Sequence, residues 1–415
     1  MRADPNLIST EAPAATAGSY EDVRSFTEQL SAPLSPEDQT VQSMPDVSPT
    51  KWHRAHTTWF FETFLLQPNL AGYQSHDDDY RFLFNSYYEA VGPRHERARR
   101  GLLSRPGAAA IGEYRRAVDN AMQRLLATDL AADVAALVEL GLHHEQQHQE
   151  LLLMDIKHVL SVNPTQPAFR EQQRTPASSM SISWAEHEGG VVEIGAGADG
   201  FAFDNETPRH EALLQPFAVA GGLVTCGEWL DFMADDGYHR PELWLSDGWA
   251  TVQAEGWEAP LYWAPLEGWT VFTFGGRRPV DPSEPVCHVS YYEADAFARW
   301  AGVRLPTEAE WETVAAGSPA GRPLDLDALH PVGAGAGYRG EVWQWTASPY
   351  VAYPGFRPAA GAVGEYNGKF MVNQHVLRGS SCLTPAGHAR LTYRNFFPPS
   401  ARWAMSGLRL AQDRP

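Results

Sequence analysis

Apolar positions recur three and four residues apart through EDVRSFTEQL, KWHRAHTTWFFETFLL, EYRRAVDNAMQRLLATDL and ADVAALVELGLHHEQQHQELLLMDIKHVLS. That spacing matches the helical repeat, so residues 21–163 are expected to form four helices. Four amphipathic helices predict a four-helix bundle. Residues 1–20, rich in Ala, Pro, Ser and Thr, read as a loose tail. The periodicity fails at NPTQPAFREQQRTPASSMS, where prolines and polar residues place a linker over 164–180. From 181 to 415 the texture changes to short strand-like runs: GGVVEIGAG, HEALLQPFAVAGGLVT and KFMVNQHVLRGSS, set among many Gly, Pro and Trp residues. YYEADAFARWAG and TEAEWETVAAG predict two short helices, the second capped by Thr307 with Glu310 three residues on. The fold class is therefore α+β in two domains, a helical bundle followed by an α+β domain with long loops. No internal repeat at a fixed period is found.

The length of 415 residues suits two or three domains, and the composition, 43% hydrophobic and 20% charged, is that of a folded soluble protein. A formal net charge of −19 repels phosphate backbones and anionic membranes, so no nucleic acid or membrane partner is expected. Cys226, Cys287 and Cys382 are scattered, odd in number and in no CxxC pair, which argues against a disulfide framework and a structural zinc finger. With no apolar run of about 18 residues and no signal-peptide core, a cytoplasmic enzyme is expected.

Candidate chemistry centres on GLHHEQQHQELLLMD, residues 141–155. Residues i and i+4 share a helix face, so His144 and His148 form a metal-ligand pair. Glu145 between them completes the HExxH pattern of zinc peptidases. His56, in WHRAHTTWFFE on an earlier helix, can face the pair, and LLLMD can wall a metal off from water. His143 lies one residue off the shared face and His53 almost a turn before His56; both read as structural. Three neutral imidazoles leave coordination positions open, as catalysis requires. Such a site suits zinc with water or ferrous iron with oxygen, and spacing does not choose between them.

The ordered series WHRAHTTWFFE, SYYEAVG, HHEQQHQE, TEAEWE, GEVWQWTAS, VLRGSSC, RNFFP and GLRLAQD resembles the ergothioneine-biosynthesis sulfoxide synthases, which are non-haem iron enzymes. The first domain is similar to the DinB-type metal-binding bundle, and the second to the formylglycine-generating-enzyme domain, a C-type-lectin-like fold. The resemblance implies Fe(II) held by His56, His144 and His148. It implies O₂-dependent joining of a thiol to the imidazole C2 of hercynine (trimethylhistidine), giving a sulfoxide. It implies that Tyr87, with Tyr88 second, offers a hydroxyl beside the reacting oxygen and steers toward C–S bond formation rather than thiol dioxygenation.

In the basic run PRHERARRGLLSRP, Arg97 and Arg100 are implied to bind the carboxylate of the thiol substrate through guanidinium forks. Relatives that use γ-glutamylcysteine carry an acid where this chain has Phe397; with the tyrosine pair, this departure resembles the branch that uses L-cysteine. Asn395 and Phe396 match positions that contact the quaternary ammonium of hercynine, and Gln147 with Tyr366 is a candidate for its carboxylate. Trp343 and Trp345 read as core of the second domain, and Arg378 and Arg409 as loop anchors. The site is expected between the domains. The rival readings are the same chemistry with γ-glutamylcysteine, ovothiol-type coupling to histidine, a zinc hydrolase using Glu145 as base, a DinB-type thiol transferase, and a lectin-like binding module. The oligomeric state is left open.

Overall fold

The structure, a computed structural model, describes residues 17–172, 183–319, 321–333, 337–359 and 361–414. The bundle consists of α1 (Ala17–Ser31), α2 (Thr50–Phe61), α3 (Ala108–Leu126) and α4 (Ala132–Val162). Residues 1–16 of the expected tail lie outside the described residues, and α1 begins within the tail's last four. The cause is Tyr20, which is buried, packs edge-on against Phe61 and donates its hydroxyl proton to Asp119 at 2.7 Å. The expected linker differs similarly. Residues 173–180 lie outside the described residues, but Phe169 is buried and its N–H bonds to Phe274 O at 2.8 Å, docking the segment on the second domain.

All twelve residues of α2 are buried, so it is the central helix, wrapped by the others. It passes into a π-helical turn, Glu62–Leu66, whose Glu62 accepts from the Tyr73 and Tyr114 hydroxyls. Gly141 lets α4 approach this helix: a Cβ there would stand 2.7 Å from Phe61 Cε1 and 3.1 Å from Phe60 Cε1. The close approach sits one turn ahead of His144 and brings facing histidines within reach of one another.

In the second domain a four-stranded sheet runs Asn395–Phe397, His375–Arg378, Trp343–Pro349, Ser406–Gly407, with its last pair parallel. An antiparallel sheet of Trp184–His187, Phe217–Ala220 and Ala411–Asp413 ties the two ends of the domain together. The run HEALLQPFAVAGGLVT gives two strands, His210–Leu214 and Phe217–Ala220, split at Pro216. Thr307 Oγ1 caps helix Glu308–Ala315 by accepting from Glu310 N, as expected. Glu308 from that helix forms a bidentate pair with Arg394, at 2.9 Å for each bond, and so fixes the start of the edge strand that carries Asn395 and Phe396.

The long α4 serves both domains. One face completes the bundle, and the other meets the second domain through Glu150, which accepts from Trp343 Nε1 at 2.7 Å, Thr384 Oγ1 at 2.8 Å and Ser381 Oγ. Trp343 and Trp345 are core residues, as their sequence context suggests. Arg378 donates to Thr392 O and Leu391 O, and Arg409 to Ala220 O and Gly337 O, each holding loops. Among the described residues no helix is long and apolar enough to cross a membrane.

Candidate active site

His56, His144 and His148 come together from α2 and α4, their ligand atoms within 4.8 Å of one another. The His56 and His144 Nε2 atoms are 3.2 Å apart. His56 donates Nδ1–H to Phe84 O at 2.6 Å, which leaves its Nε2 lone pair toward the other rings. Its ring is clamped between Trp52, at 4.7 Å and 11°, and Trp59, at 5.6 Å and 18°. Burial and the neighbouring imidazoles hold His56 and His148 well below the ordinary histidine range, and burial brings His144 down to about 4. Three converging neutral imidazoles with lone pairs to share fit one divalent cation of the iron or zinc kind.

His53 is more than a structural residue. Its Nε2–H donates to Asp155 Oδ2 at 3.0 Å, and its Nδ1 lies 2.9 Å from His148 Nδ1. With Nε2–H donated to Asp155, His53 Nδ1 accepts from His148 Nδ1–H, which leaves the lone pair of His148 on Nε2. Such outer partners fix the tautomer and orientation of metal-bound histidines.

A cavity of about 370 Å³ opens beside His148, between the domains, within the size range of small-molecule sites. Tyr87 lines it. The loop that carries Tyr87 is shaped by Asn85, whose Oδ1 accepts from Tyr88 N at 3.0 Å. It is tied to the second domain by Glu365, which accepts from Glu89 N and Ala90 N. Tyr366, next in chain, therefore stacks on Tyr87 at 5.1 Å. Tyr88 points away from the cavity onto Trp59 and Phe64, with its hydroxyl 3.3 Å from that of Tyr87. Burial pushes both phenols up, so each keeps its proton at neutral pH.

Arg97, Arg100, Gln147, Tyr366, Asn395, Phe396 and Phe397 all line the same cavity. Phe396 stacks on Tyr350 at 4.1 Å, with Phe370 at 5.9 Å and Tyr366 at 6.2 Å. Gln147 Nε2 donates to the Tyr393 hydroxyl at 3.2 Å. Arg100 is 4% exposed, lies 3.3 Å over the Trp52 ring and donates to Ser48 Oγ at 2.8 Å. Arg97 donates to Asp46 O. Phe397 packs edge-on against Trp403 at 5.6 Å.

The signature of the Sulfatase-modifying factor enzyme 1-like domain matches residues 165–336. The hercynine oxygenase of Mycolicibacterium smegmatis is 31% identical over 411 residues, which cover 90% of this chain and 92% of that one. The chain belongs to the hercynine oxygenase family. The hercynine oxygenase of Mycobacterium tuberculosis is likewise 31% identical, over 403 residues, 89% of this chain and 92% of its own. The formylglycine-generating enzyme of Streptomyces coelicolor is similar to a smaller part, 36% identical over 172 residues, 38% of this chain and 53% of its own. The protein is thus an oxygenase with a helical N-terminal domain and a formylglycine-generating-enzyme-like, C-type-lectin-like second domain.

Within this oxygenase, Glu145 of the HEQQH segment faces away from the ligand set. It accepts from Thr27 Oγ1 at 2.6 Å, Arg24 at 2.7 Å and Arg115 at 2.9 Å, and is fully buried. Neither oxygen is left to activate a water, which argues against the hydrolase reading. Burial raises its pKa, but Arg24 and Arg115 outweigh that effect and hold it at about 2. The folded-state value lies below the unfolded one, so this stabilisation is present above about pH 4 and is lost as pH falls toward 2. Glu145→Gln, which takes the fully buried carboxylate from Arg24 and Arg115 and leaves them only Asp119 and Glu28, is expected to cost about 3 kcal/mol at pH 7. The difference should shrink in urea unfolding at pH 3; a difference independent of pH would contradict the assignment.

Sequence reasoning passed over Tyr393, Phe370 and Asp155 as cavity residues. Asp155 was detectable, since it lies two turns after His148 on one helix face. Tyr393 stands just before the edge strand, in a loop with no periodic signal.

Proposed function

We propose that the protein joins L-cysteine to C2 of hercynine, using O₂ and Fe(II), to give a hercynylcysteine sulfoxide in ergothioneine biosynthesis. In balance, the C2–H and the S–H are lost, one oxygen atom becomes the sulfoxide and the other leaves as water. The observation that carries this reading is the meeting, at one cavity of a hercynine oxygenase family member, of a three-histidine group that reaches it through His148, a buried arginine with no carboxylate partner among the described residues, and an aromatic wall.

His56, His144 and His148 are assigned to Fe(II), which when bound would activate O₂ and favour the thiolate over the thiol. The residues around it bind and orient. Arg100, with Arg97, receives the carboxylate of cysteine; a buried guanidinium whose partners among the described residues are the Ser48 hydroxyl and the Trp52 ring is ready for an anion. Phe396, Phe370 and Tyr366 present aromatic rings to the trimethylammonium, which has no N–H to donate. Asn395 supplies an oxygen dipole there, while Gln147 and Tyr366 take the hercynine carboxylate. Fixing both substrates beside one metal turns a rare encounter into a local step. Tyr87 holds its hydroxyl proton at the cavity wall and is the proton donor; Tyr88 supports it from behind.

Phe397, packed on Trp403, offers no charge for the glutamyl ammonium of γ-glutamylcysteine, which favours cysteine. The test is product analysis by mass after anaerobic loading with Fe(II), hercynine and either thiol, then admission of O₂. The expected product carries the cysteine sulfur and one added oxygen on hercynine. Turnover of γ-glutamylcysteine alone, or equal turnover with Zn(II), would overturn the reading.

A further inference from the structure

We propose that Asp155 binds the α-ammonium of the thiol substrate, so that Asp155 and Arg100 together form a recognition site for a free α-amino acid. This inference rests on the cysteine reading above and names the residue that would select cysteine over its γ-glutamyl derivative.

Asp155 lies on α4 and lines the same cavity as His148 and Arg100. It is 3% exposed. Its two oxygens differ. Oδ2 is occupied, accepting from Ser48 N at 2.7 Å and from His53 Nε2 at 3.0 Å. Oδ1 is buried and accepts from nothing among the described residues. A buried carboxylate oxygen without a donor is a site in want of one. Arg100 is the counterpart in opposite charge. Its Nε is buried without a partner, and no carboxylate lies within ion-pair distance of it among the described residues.

Ser48 joins the two. Its hydroxyl accepts from Arg100 at 2.8 Å, and its backbone N–H donates to Asp155 at 2.7 Å. One residue thus sets a cation and an anion side by side on the cavity wall without letting them pair. An α-amino acid carries its own carboxylate and ammonium on a single carbon, in the complementary order. In γ-glutamylcysteine the corresponding nitrogen is an uncharged amide with one N–H and an acyl chain attached. It cannot give Asp155 a charge-assisted hydrogen bond. The other acids on the wall do not compete. Glu150 is fully engaged by Trp343, Thr384 and Ser381, and Asp46 is exposed.

The experiment compares cysteine with 3-mercaptopropionate, which keeps the thiol and carboxylate but lacks the ammonium. Turnover with hercynine is measured for both thiols, and calorimetric binding of both is measured without O₂. The unaltered enzyme should prefer cysteine roughly 10–100-fold, the range of one charge-assisted hydrogen bond. Asp155 also orients His53 behind His148, so all variants are compared at saturating Fe(II) and the cysteine-to-mercaptopropionate ratio is read rather than either rate. Asp155→Asn should erase most of that preference by raising KM for cysteine selectively. Asp155→Ser, which keeps a hydroxyl acceptor for Ser48 N–H, is the second variant if melting shows that the first has not folded. An unchanged preference in a folded variant, both thiols weakening together, would overturn the inference and leave the cysteine reading standing. If the unaltered enzyme turns over only γ-glutamylcysteine, the cysteine reading fails, and this inference with it.

Discussion

His148→Ala is expected to remove productive iron binding and reduce sulfoxide formation to background. His148 is one of three rings whose ligand atoms fall within 4.8 Å of one another, and two imidazoles alone hold a divalent ion poorly. The loss of Fe(II) affinity should be at least about 100-fold, since the removal of outer-shell partners alone costs about 10–100-fold. His53→Ala gives the graded comparison: it deletes the Asp155–His53–His148 support but keeps all three ligands. Its affinity should fall within that smaller range. Titration of Fe(II) without O₂ measures both; a His148 variant that binds iron as the parent does would place the metal elsewhere.

Tyr87→Phe is the second large effect, and it is read in the product rather than in the rate alone. Tyr87 carries a protonated hydroxyl at the cavity wall, held in place by the stack with Tyr366 and by the Asn85 turn. Phenylalanine keeps the ring and the stack while deleting the proton. Without it, oxygen should go largely to cysteine sulfur, giving cysteine sulfinate at the expense of hercynylcysteine sulfoxide. Tyr88→Phe, which removes only the hydroxyl that accepts from Tyr87 at 3.3 Å and leaves the ring on Trp59 and Phe64, should shift the product ratio far less than the Tyr87 change. Chromatographic quantitation of both products decides it; an unchanged partition in the Tyr87 variant would take the proton-donor role from that residue.

Much of the architecture was readable because it depends on local periodicity. The four bundle helices follow from the spacing of apolar residues, and His144 and His148 from the i, i+4 rule on one of them. The capping pair Thr307 and Glu310 was likewise local. What stayed hidden depends on contacts between distant segments. His53 reads as a decoy until α4 lies across α2, because its partners, His148 and Asp155, are about a hundred residues away in sequence. Tyr20 anchors a stretch whose composition suggests a loose tail, through contacts with Phe61 and Asp119. The HEQQH pattern suggested a catalytic glutamate, yet Glu145 points between Arg24 and Arg115, on a face that sequence alone does not distinguish from the metal face. The coupling of TEAEWE to RNFFP through Glu308 and Arg394 was equally out of reach, although both motifs were apparent.

The most direct test is X-ray absorption at the iron edge of the Fe(II)-loaded protein, before and after each substrate is added without O₂. The expected first shell holds nitrogen and oxygen only, with imidazole scattering from three histidines. A sulfur neighbour should then appear with cysteine, and a further imidazole with hercynine. A shell already closed by a fourth protein ligand, or one that neither substrate changes, would contradict the three-histidine assignment.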